Sequence, residues 1–500
     1  MFNLVIVSLR GATPKNRGQA RRSNIVNKDC FAPTGLAMTL VVLVLLSGCA
    51  IGPKYVRPTT QIPAAYKESK DWKIALPQDG IIRGAWWKIF NDPRLDALEA
   101  QVNISNQNIA LAAAQYAASY ALVQAAKSAF FPIVGTTASY TRSHSAGGGG
   151  SSSNSKSAVS DNLLNADVSW ELDLWGKIRR TIEANRAAAQ ASQADLENIR
   201  LSAQAQLAQD YFQLCSLDTQ EKLLDDTKLI YQKFYDLTKN QYASGVAAES
   251  AVIQAKTQLE ATEAQAIDVG VQRSQIEHAI ALLMGKPASD FSIPELTLSS
   301  TVPSVPTGLP SEILERRPDI AAAERTVASA NALIGVAQSA YYPTLILSAS
   351  GSYNSANLAN LFSSPNPLWS IGPALTETIF DAGLRQAQTA QARAVYDQDV
   401  ASYRETVLTA FGQVEDNLAA LRILEQEAQV QDEAVNDAKK AVMLETNQYK
   451  AGTVSALDVI NTQAIALTDE KAAVTILGER MNACVLLIEY LGGGWEAPKP

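Results

Sequence analysis

Ser128-Ala-Phe-Phe-Pro132 returns 211 positions later as Ser339-Ala-Tyr-Tyr-Pro343. An Ala- and Gln-rich stretch with helical spacing leads into each motif, and an alternating run with the period of a strand leaves it. Proline lacks the N–H that a helix interior requires, so each motif ends a helix and hands the chain to a different hydrogen-bonding regime. The remainder of the sequence is arranged twice around this joint.

Beyond Pro132, Val134, Thr136, Ala138 and Tyr140 fall on one face, and Gly135, Thr137, Ser139 and Thr141 on the other. A second run is clearer: Val168, Trp170, Leu172 and Leu174 alternate with Ser169, Glu171, Asp173 and Trp175. About ten residues, apolar on one side only, is the signature of a transmembrane β-strand. Strands are predicted at about 132–142 and 167–175, and again at about 344–353 and 369–379. The Gly- and Ser-rich stretch 143–166 reads as a loop.

Helical spacing resumes at Gly176 and continues for roughly 65 residues, on the order of 100 Å of rod. A globular core does not bury that length, which calls for coiled-coil-like neighbours. Gln241-Tyr-x-x-Gly245 breaks the rod, and a second helix runs from Ala247 to about Met284 before Gly285-Lys-Pro287. Gly245 suits a left-handed C-cap, giving an antiparallel hairpin. The second half repeats the plan with Gln448-Tyr-x-x-Gly452 and Tyr490-x-Gly492, each 207 positions after its counterpart. The chain divides into a segment 1–48, an extended arm 49–91, a first repeat 92–286, a linker 287–310, a second repeat 311–494 and a tail 495–500. Asp92-Pro93 and Arg317-Pro-Asp319 open the first helix of each repeat, and the first repeat's opening helical pattern breaks near Asn103.

Four strands cannot close a barrel, and an open edge in lipid leaves backbone groups without partners. The chain therefore oligomerises or its strands lie outside a membrane. Three copies would supply twelve strands, an even number in the known range, though periodicity alone does not fix three.

Composition narrows the function. Histidine occurs twice, at His144 and His278, which leaves little for metal or His-based catalysis. Cys30, Cys49, Cys215 and Cys484 show no clustered spacing. Residues 1–48 carry a basic region and the apolar run Leu36 to Leu46, and end before Leu46-Ser-Gly-Cys49. That is the form of a secretory signal peptide, too short for a permanent span. Its removal takes away six positive charges and one negative, moving the formal net charge from −8 to −13. So acidic a chain does not suit nucleic acid as a partner. No nucleophile, base or ligand constellation points to an enzyme.

Several stretches together resemble the TolC/OprM-type outer-membrane factors, in the lipoprotein (NodT-like) branch that works with RND efflux pumps. They are Leu46-Ser-Gly-Cys49, Gly52-Pro-x-Tyr55-x-x-Pro58, Trp86-Trp-x-x-Phe90-x-Asp-Pro93, Trp170-Glu-x-Asp-Leu-Trp-Gly176, Leu309-Pro-Ser-x-x-Leu314-x-Arg-Arg-Pro-Asp319, Asn331-Ala-x-Ile-Gly335 and Tyr449-x-x-Gly-x-x-Ser455-x-Leu-Asp458. The resemblance covers essentially all of the chain after residue 48. It implies a mixed α and β membrane protein, internally duplicated, with four transmembrane β-strands and very long α-helices per chain. In a homotrimer these would form a 12-stranded β-barrel in the outer membrane joined to a periplasmic α-helical barrel. It further implies a passive efflux conduit served by a periplasmic adaptor (membrane fusion protein) and an inner-membrane RND-type pump. No cofactor is implied beyond a diacylglycerol and N-acyl chain on Cys49, and Ala50 is compatible with outer-membrane sorting. The same family includes channels for type I protein secretion, which stand as the alternative; the Leu-Ser-Gly-Cys and Arg-Arg-Pro-Asp stretches favour efflux.

On this resemblance the hairpin tips, with Tyr242, Gly245 and Val246 in one and Tyr449, Gly452 and Thr453 in the other, are candidate adaptor-docking sites; their glycines also serve as turn residues. Relatives often place an Asp about ten residues before the second tip Tyr. Here that position is Lys439, followed by Lys440, with Asp437 nearby, so a Lys/Asp network is the expectation at the periplasmic aperture. Glu171, Asp173 and Glu377 are candidate lumen-facing acids, equally readable as solvated wall. Pro132 and Pro343 mark the membrane boundary. Cys215 and Cys484 lie at similar heights above the tips, which permits a disulfide if their helices are neighbours; buried free thiols are the preferred reading.

Overall fold

The computed structural model describes residues 50–63, 65–68, 84–144, 158–298, 301–303, 305, 316–363 and 367–493. The expected signal peptide, Cys49 and the tail 495–500 lie outside the described residues, as does part of the linker 287–310. Of the expected loop, 145–157 also lies outside them.

A short 3-10 helix, Trp86–Phe90, precedes α1, Pro93–Ser105. Asp92 caps α1, accepting from the backbone N–H groups of Arg94 and Leu95, while Pro93 occupies the first turn, where no donor is needed. The break expected near Asn103 falls at Asn106. Its side-chain oxygen accepts from Asn108 N and Ile109 N to start α2, Gln107–Ser128, and its amide donates to Leu283 O at 2.9 Å. A side chain that caps one helix and bonds a distant one fixes the kink, and helical periodicity does not register it.

α2 ends at the Phe-Phe-Pro joint and the chain enters a four-stranded sheet. The strands are β1, Ile133–Ser143; β2, Val159–Leu172; β3, Thr344–Ser355; and β4, Pro367–Thr376. Their order is β1-β2-β3-β4 and every pairing is antiparallel. The second strand is thus not confined to 167–175. Asn162, Leu163, Leu164 and Asn165 break the alternation and read as loop, yet all four pair with both neighbours, and the Asn162 amide donates to Ser355 O at 2.9 Å. Pairing on both sides overrides weak strand propensity. At its other end β2 stops before Asp173, and β4 stops at Thr376 rather than 379.

The register sorts the side chains. Val134, Val168, Ala349 and Ile371 stand in one row across the sheet, and Gly135, Asp167, Ser350 and Ser370 in the next. The first face also carries Leu164, Trp170, Leu347 and Trp369. The second carries Asn165, Ser169, Glu171 and Ser348, interrupted by Ile133, Leu163, Ile346 and Leu368. Strands of 10 to 14 residues are long enough to cross a bilayer at the usual tilt.

Two helices of 67 residues leave the sheet: α3, Lys177–Ala243, and α6, Leu384–Lys450. Each begins at a left-handed glycine, Gly176 (φ 82°) and Gly383 (φ 89°), and reverses at another, Gly245 (φ 74°) and Gly452 (φ 76°). They return as α4, Glu249–Leu283, and α7, Ala456–Tyr490; α5, Pro318–Ser339, opens the second repeat. α3 packs against α2, α4, α5 and α7, and α6 against α5 and α7. The main core forms around Trp86, Leu95, Tyr211, Leu214, Ile320, Tyr403, Leu418 and Leu487, each under 3% exposed. The first repeat therefore enters this core with two helices where the second uses one.

One core group is anomalous. Glu99 on α1 is 0% exposed, and neither carboxylate oxygen has a hydrogen-bond partner among the described residues. Burial, and secondarily Asp96 on the same helix, hold its pKa well above the usual carboxylate range. Gln204 on α3 and Trp86, bonded to each other beside α1, do not titrate. A carboxyl protonated when folded contributes its full stability below its unfolded pKa and loses it as pH rises towards the folded value, by about 1.4 kcal/mol per pH unit. Glu99→Gln should therefore melt above the parent by a margin that widens between pH 5 and pH 8 and nearly vanishes at pH 4. Circular-dichroism melts of detergent-solubilised protein check this; a margin independent of pH contradicts it.

Candidate functional site

The joints where helix becomes strand are held by tryptophans. Trp170 on β2 donates its indole N–H to Phe130 O at 3.0 Å, two residues before Pro132. Trp175 stacks on Tyr342 with ring centroids 4.9 Å apart and donates to Pro343 O at 2.8 Å. The Arg385 guanidinium lies over Tyr341, 5.5 Å from its centroid. One carbonyl at each joint, Phe130 O and Pro343 O, thus accepts from an indole on β2 or just beyond it.

The acids divide differently from expectation. Glu171 stands on the polar face and pairs with Lys177 at 3.1 Å. Asp173 does not face a lumen from a strand. It lies beyond β2, accepts from Ile178 N and Arg179 N at 3.0 Å each, and pairs with Arg179 Nε at 3.0 Å, so it is the cap of α3. Asp381 does the same for α6, accepting from Gly383 N at 3.0 Å and Arg385 N at 3.2 Å, and the hydrogen bond from the Arg385 guanidinium holds its carboxyl below the ordinary range. Glu377 is exposed just beyond β4. Asp161 and Asp167, absent from the expected set, share the polar face of β2 with Glu171. Even spacing from Glu171 along the strand is the signal for both; for Asp161 it is hidden because 143–166 reads as a loop, whereas Asp167 opens the predicted strand and is readable there.

Residues 69–83 of the arm lie outside the described residues; over 50–63 and 65–68 it is tied down more closely than its composition suggests. Ile51 N donates to Trp175 O at 3.0 Å, and Arg180, itself 7% exposed, donates to Ile51 O and Gly52 O. Asn331 donates to Pro53 O at 3.2 Å, the Tyr55 hydroxyl to Glu324, and Arg57 to the Tyr403 hydroxyl at 3.2 Å. Glu415 receives Lys67 N and Glu68 N, and Arg422 closes on Glu68 at 2.7 Å. As the arm proceeds, its partners descend α5 and advance along α6, so it runs from the joint towards the core as a strap over both repeats. Gly52 crosses Gly335 so closely that a Cβ on Gly52 would lie 2.5 Å from Gly335 Cα. Arg180, Glu324 and Glu415 are spread over three helices, and nothing in the local sequence marks them for this role.

The two tips share a turn and differ in what they present. Val246 is 78% exposed and Tyr242 46%, whereas Tyr449 accepts from the Gln241 amide at 3.0 Å and meets the Phe234 ring edge-on at 6.0 Å. Thr453 donates its hydroxyl to Gln448 O at 3.0 Å, and Ser455 with Asp458 forms a capping box for α7. At the expected aperture, Lys439 pairs with Glu470 on α7 at 2.9 Å rather than with Asp437; Asp437 and Lys440 are exposed. Cys215 and Cys484 are buried free thiols, each pushed up to about 12 chiefly by desolvation.

An outer membrane efflux protein family model matches residues 95–286 and 309–493, one match to each repeat. The probable efflux pump outer membrane protein TtgC of Pseudomonas putida is 28% identical over 466 residues, covering 91% of this chain and 94% of that one. The pyoverdine export outer membrane protein OpmQ of Pseudomonas aeruginosa is 29% identical over 473 residues, covering 92% and 98%. Among solved structures, the outer-membrane channel OprN superposes with TM-score 0.81 at 28% identity, over 90% of this chain and all of that one. The open-state MtrE outer membrane channel of Neisseria gonorrhoeae superposes with TM-score 0.75 at 25% identity, over 90% and 99%. With both repeats, the four-stranded sheet and the long helical hairpins accounted for, the chain belongs to the outer membrane efflux protein family.

Proposed function

We propose that three copies of this chain close into a continuous passive conduit: a twelve-stranded barrel in the outer membrane extended by a barrel of helices into the periplasm. The observation that carries this is the sheet itself. Among the described residues β1 and β4 each pair on one side only, and the sheet has one apolar face. Hydrocarbon supplies no hydrogen bonds to open edges, so the edges must find one another. Two copies would give eight strands, a bore that side chains fill; three give twelve and leave an aqueous lumen. The helices make the same demand, since Ile253, Ile267 and Val271 on α4 and Leu408, Ile423 and Val430 on α6 are each more than 50% exposed in the single chain.

The strap supports a lipid anchor at Cys49. It begins at the joint, through Ile51 and Trp175, so an acyl chain on the residue before Ala50 would enter the bilayer at the foot of the barrel. The exposed Tyr242 and Val246 support docking of an adaptor's helical hairpin at the first tip, with an inner-membrane RND-type pump supplying the energy. The second tip, with Tyr449 engaged inside the chain, suits a positioning role at the aperture.

Unheated protein extracted from the outer membrane should migrate as a trimer on denaturing gels, collapse to monomer on boiling, and give stepwise conductance in planar bilayers. A monomer without conductance overturns the proposal. Cys49→Ser should lose palmitate labelling, and labelling that persists excludes this residue as the anchor. Val246→Asp should leave trimer and conductance intact while reducing adaptor cross-linking at least ten-fold, as burial of one unpaired charge in an apolar contact predicts.

A further inference from the structure

The duplication pairs the two helix-to-strand joints residue for residue; at the strand-to-helix joints, where Gly176 matches Gly383, Ala382 takes the place of Trp175 and the aromatic stands two residues earlier, at Phe380. Phe131 and Tyr342 hold the same place in Ser128-Ala-Phe-Phe-Pro132 and Ser339-Ala-Tyr-Tyr-Pro343. Tyr342, 43% exposed, is stacked on one ring face within the chain by Trp175, which follows the adjacent strand β2, at 4.9 Å and 28° between ring planes. Phe131 stands two residues before β1, an edge strand, and is 69% exposed.

The strand that would lie beside β1 in a closed barrel is β4 of another copy. The order β1-β2-β3-β4 with every pair antiparallel makes β1 and β4 run in opposite directions, so a β4–β1 contact between copies continues the same pattern. Leu172 pairs with Leu345 and Thr344 with Thr376, which puts the end of β4 at the same rim as the start of β1. Adjacent strands are separated by about 4.8 Å, within the reach of facing aromatic side chains. Just past Thr376 the chain presents Ile379, 94% exposed, and Phe380, 85% exposed. They are followed by two left-handed residues, Ala382 (φ 53°) and Gly383 (φ 89°), held by Asp381, whose carboxylate pairs with Arg385 Nε at 2.5 Å. A non-glycine residue is disfavoured in that region, so the turn is imposed by its surroundings.

We infer that Phe380 of one copy packs on Phe131 of the next, an intersubunit counterpart of the Trp175–Tyr342 stack. The partner is a second copy of this chain, and the contact rests on the closure proposed above. Two facts favour it over simple exposure to lipid. The joint within the chain already pairs an aromatic leaving a strand with one entering the adjacent strand. The residues in question also flank the two strands that lack a second neighbour. The contact would make the foot of the barrel alike all round, with one aromatic pair inside each copy and one at each boundary between copies.

Phe131→Cys with Phe380→Cys in one chain, oxidised in outer-membrane vesicles, should give covalent dimers and trimers on non-reducing gels that revert to monomer on reduction. Neither single variant should do so, and the native Cys215 and Cys484 are buried. Trimers of normal native mobility without the cross-link would overturn the inference while leaving the closure standing. Failure of the parent chain to form trimers at all would instead remove the closure and the inference together. As a second measurement, Phe131→Ala and Phe380→Ala should each lower the temperature of trimer dissociation, and the double variant should lose no more than the worse single. Additive losses would overturn the contact.

Discussion

A backbone amide in hydrocarbon has no water to fall back on, and this one restriction governs the rest of the molecule. It requires β1 and β4 to be paired, which a chain with four strands in a row cannot do alone. It explains why helix gives way to strand at a proline, since Pro132 and Pro343 end one closed set of hydrogen bonds before the next begins. It also explains the tryptophans. Trp170 and Trp175 donate to carbonyls of the two joints, at Phe130 and Pro343, where the change of hydrogen-bonding pattern leaves acceptors over.

Below the joint the requirement changes. The 67-residue helices satisfy their own backbones, and what they lack is cover for their apolar stripes. Part of that cover comes from within the chain, where α3 meets α5 and α7 over a common core. The strap adds cross-ties of another kind. It binds through carbonyls, a buried arginine and carboxylates, and it touches the first repeat at Arg180 and the second at Asn331, Glu324 and Glu415. Its start is fixed by polar contacts at the level of the joint, independently of any apolar packing.

The architecture was legible because it is periodic and repeated. Alternation at Val168 to Leu172, rod-length helical spacing, and glycines 207 positions apart are properties of local sequence that the fold preserves. What escaped has specific physical causes. β2 extends back to Val159 because two-sided pairing holds Asn162 and Asn165, residues of low strand propensity. Asp173 looked like a strand residue because it continues an alternation, but a carboxylate beside Gly176 and a new helix is better used on free N–H groups. Lys439 found Glu470 on the returning helix of its own hairpin, a distance of 31 residues that no local pattern reports. The tips were located by their turn glycines, yet their asymmetry, Val246 outside and Tyr449 engaged, depends on contacts between the two hairpins.

The duplication described for the joints also bears on how such a wall is put together. A half-length chain with two strands and one hairpin would need six copies to enclose the same twelve-stranded bore. Covalent linkage turns three of those six boundaries into intramolecular ones, where the local concentration of one half around the other is on the order of millimolar whatever the abundance in the envelope. Closure then falls from a sixth-order to a third-order dependence on the amount of chain. Carrying both repeats on one chain thus makes closure far less sensitive to the amount of protein than closure from half-length chains would be.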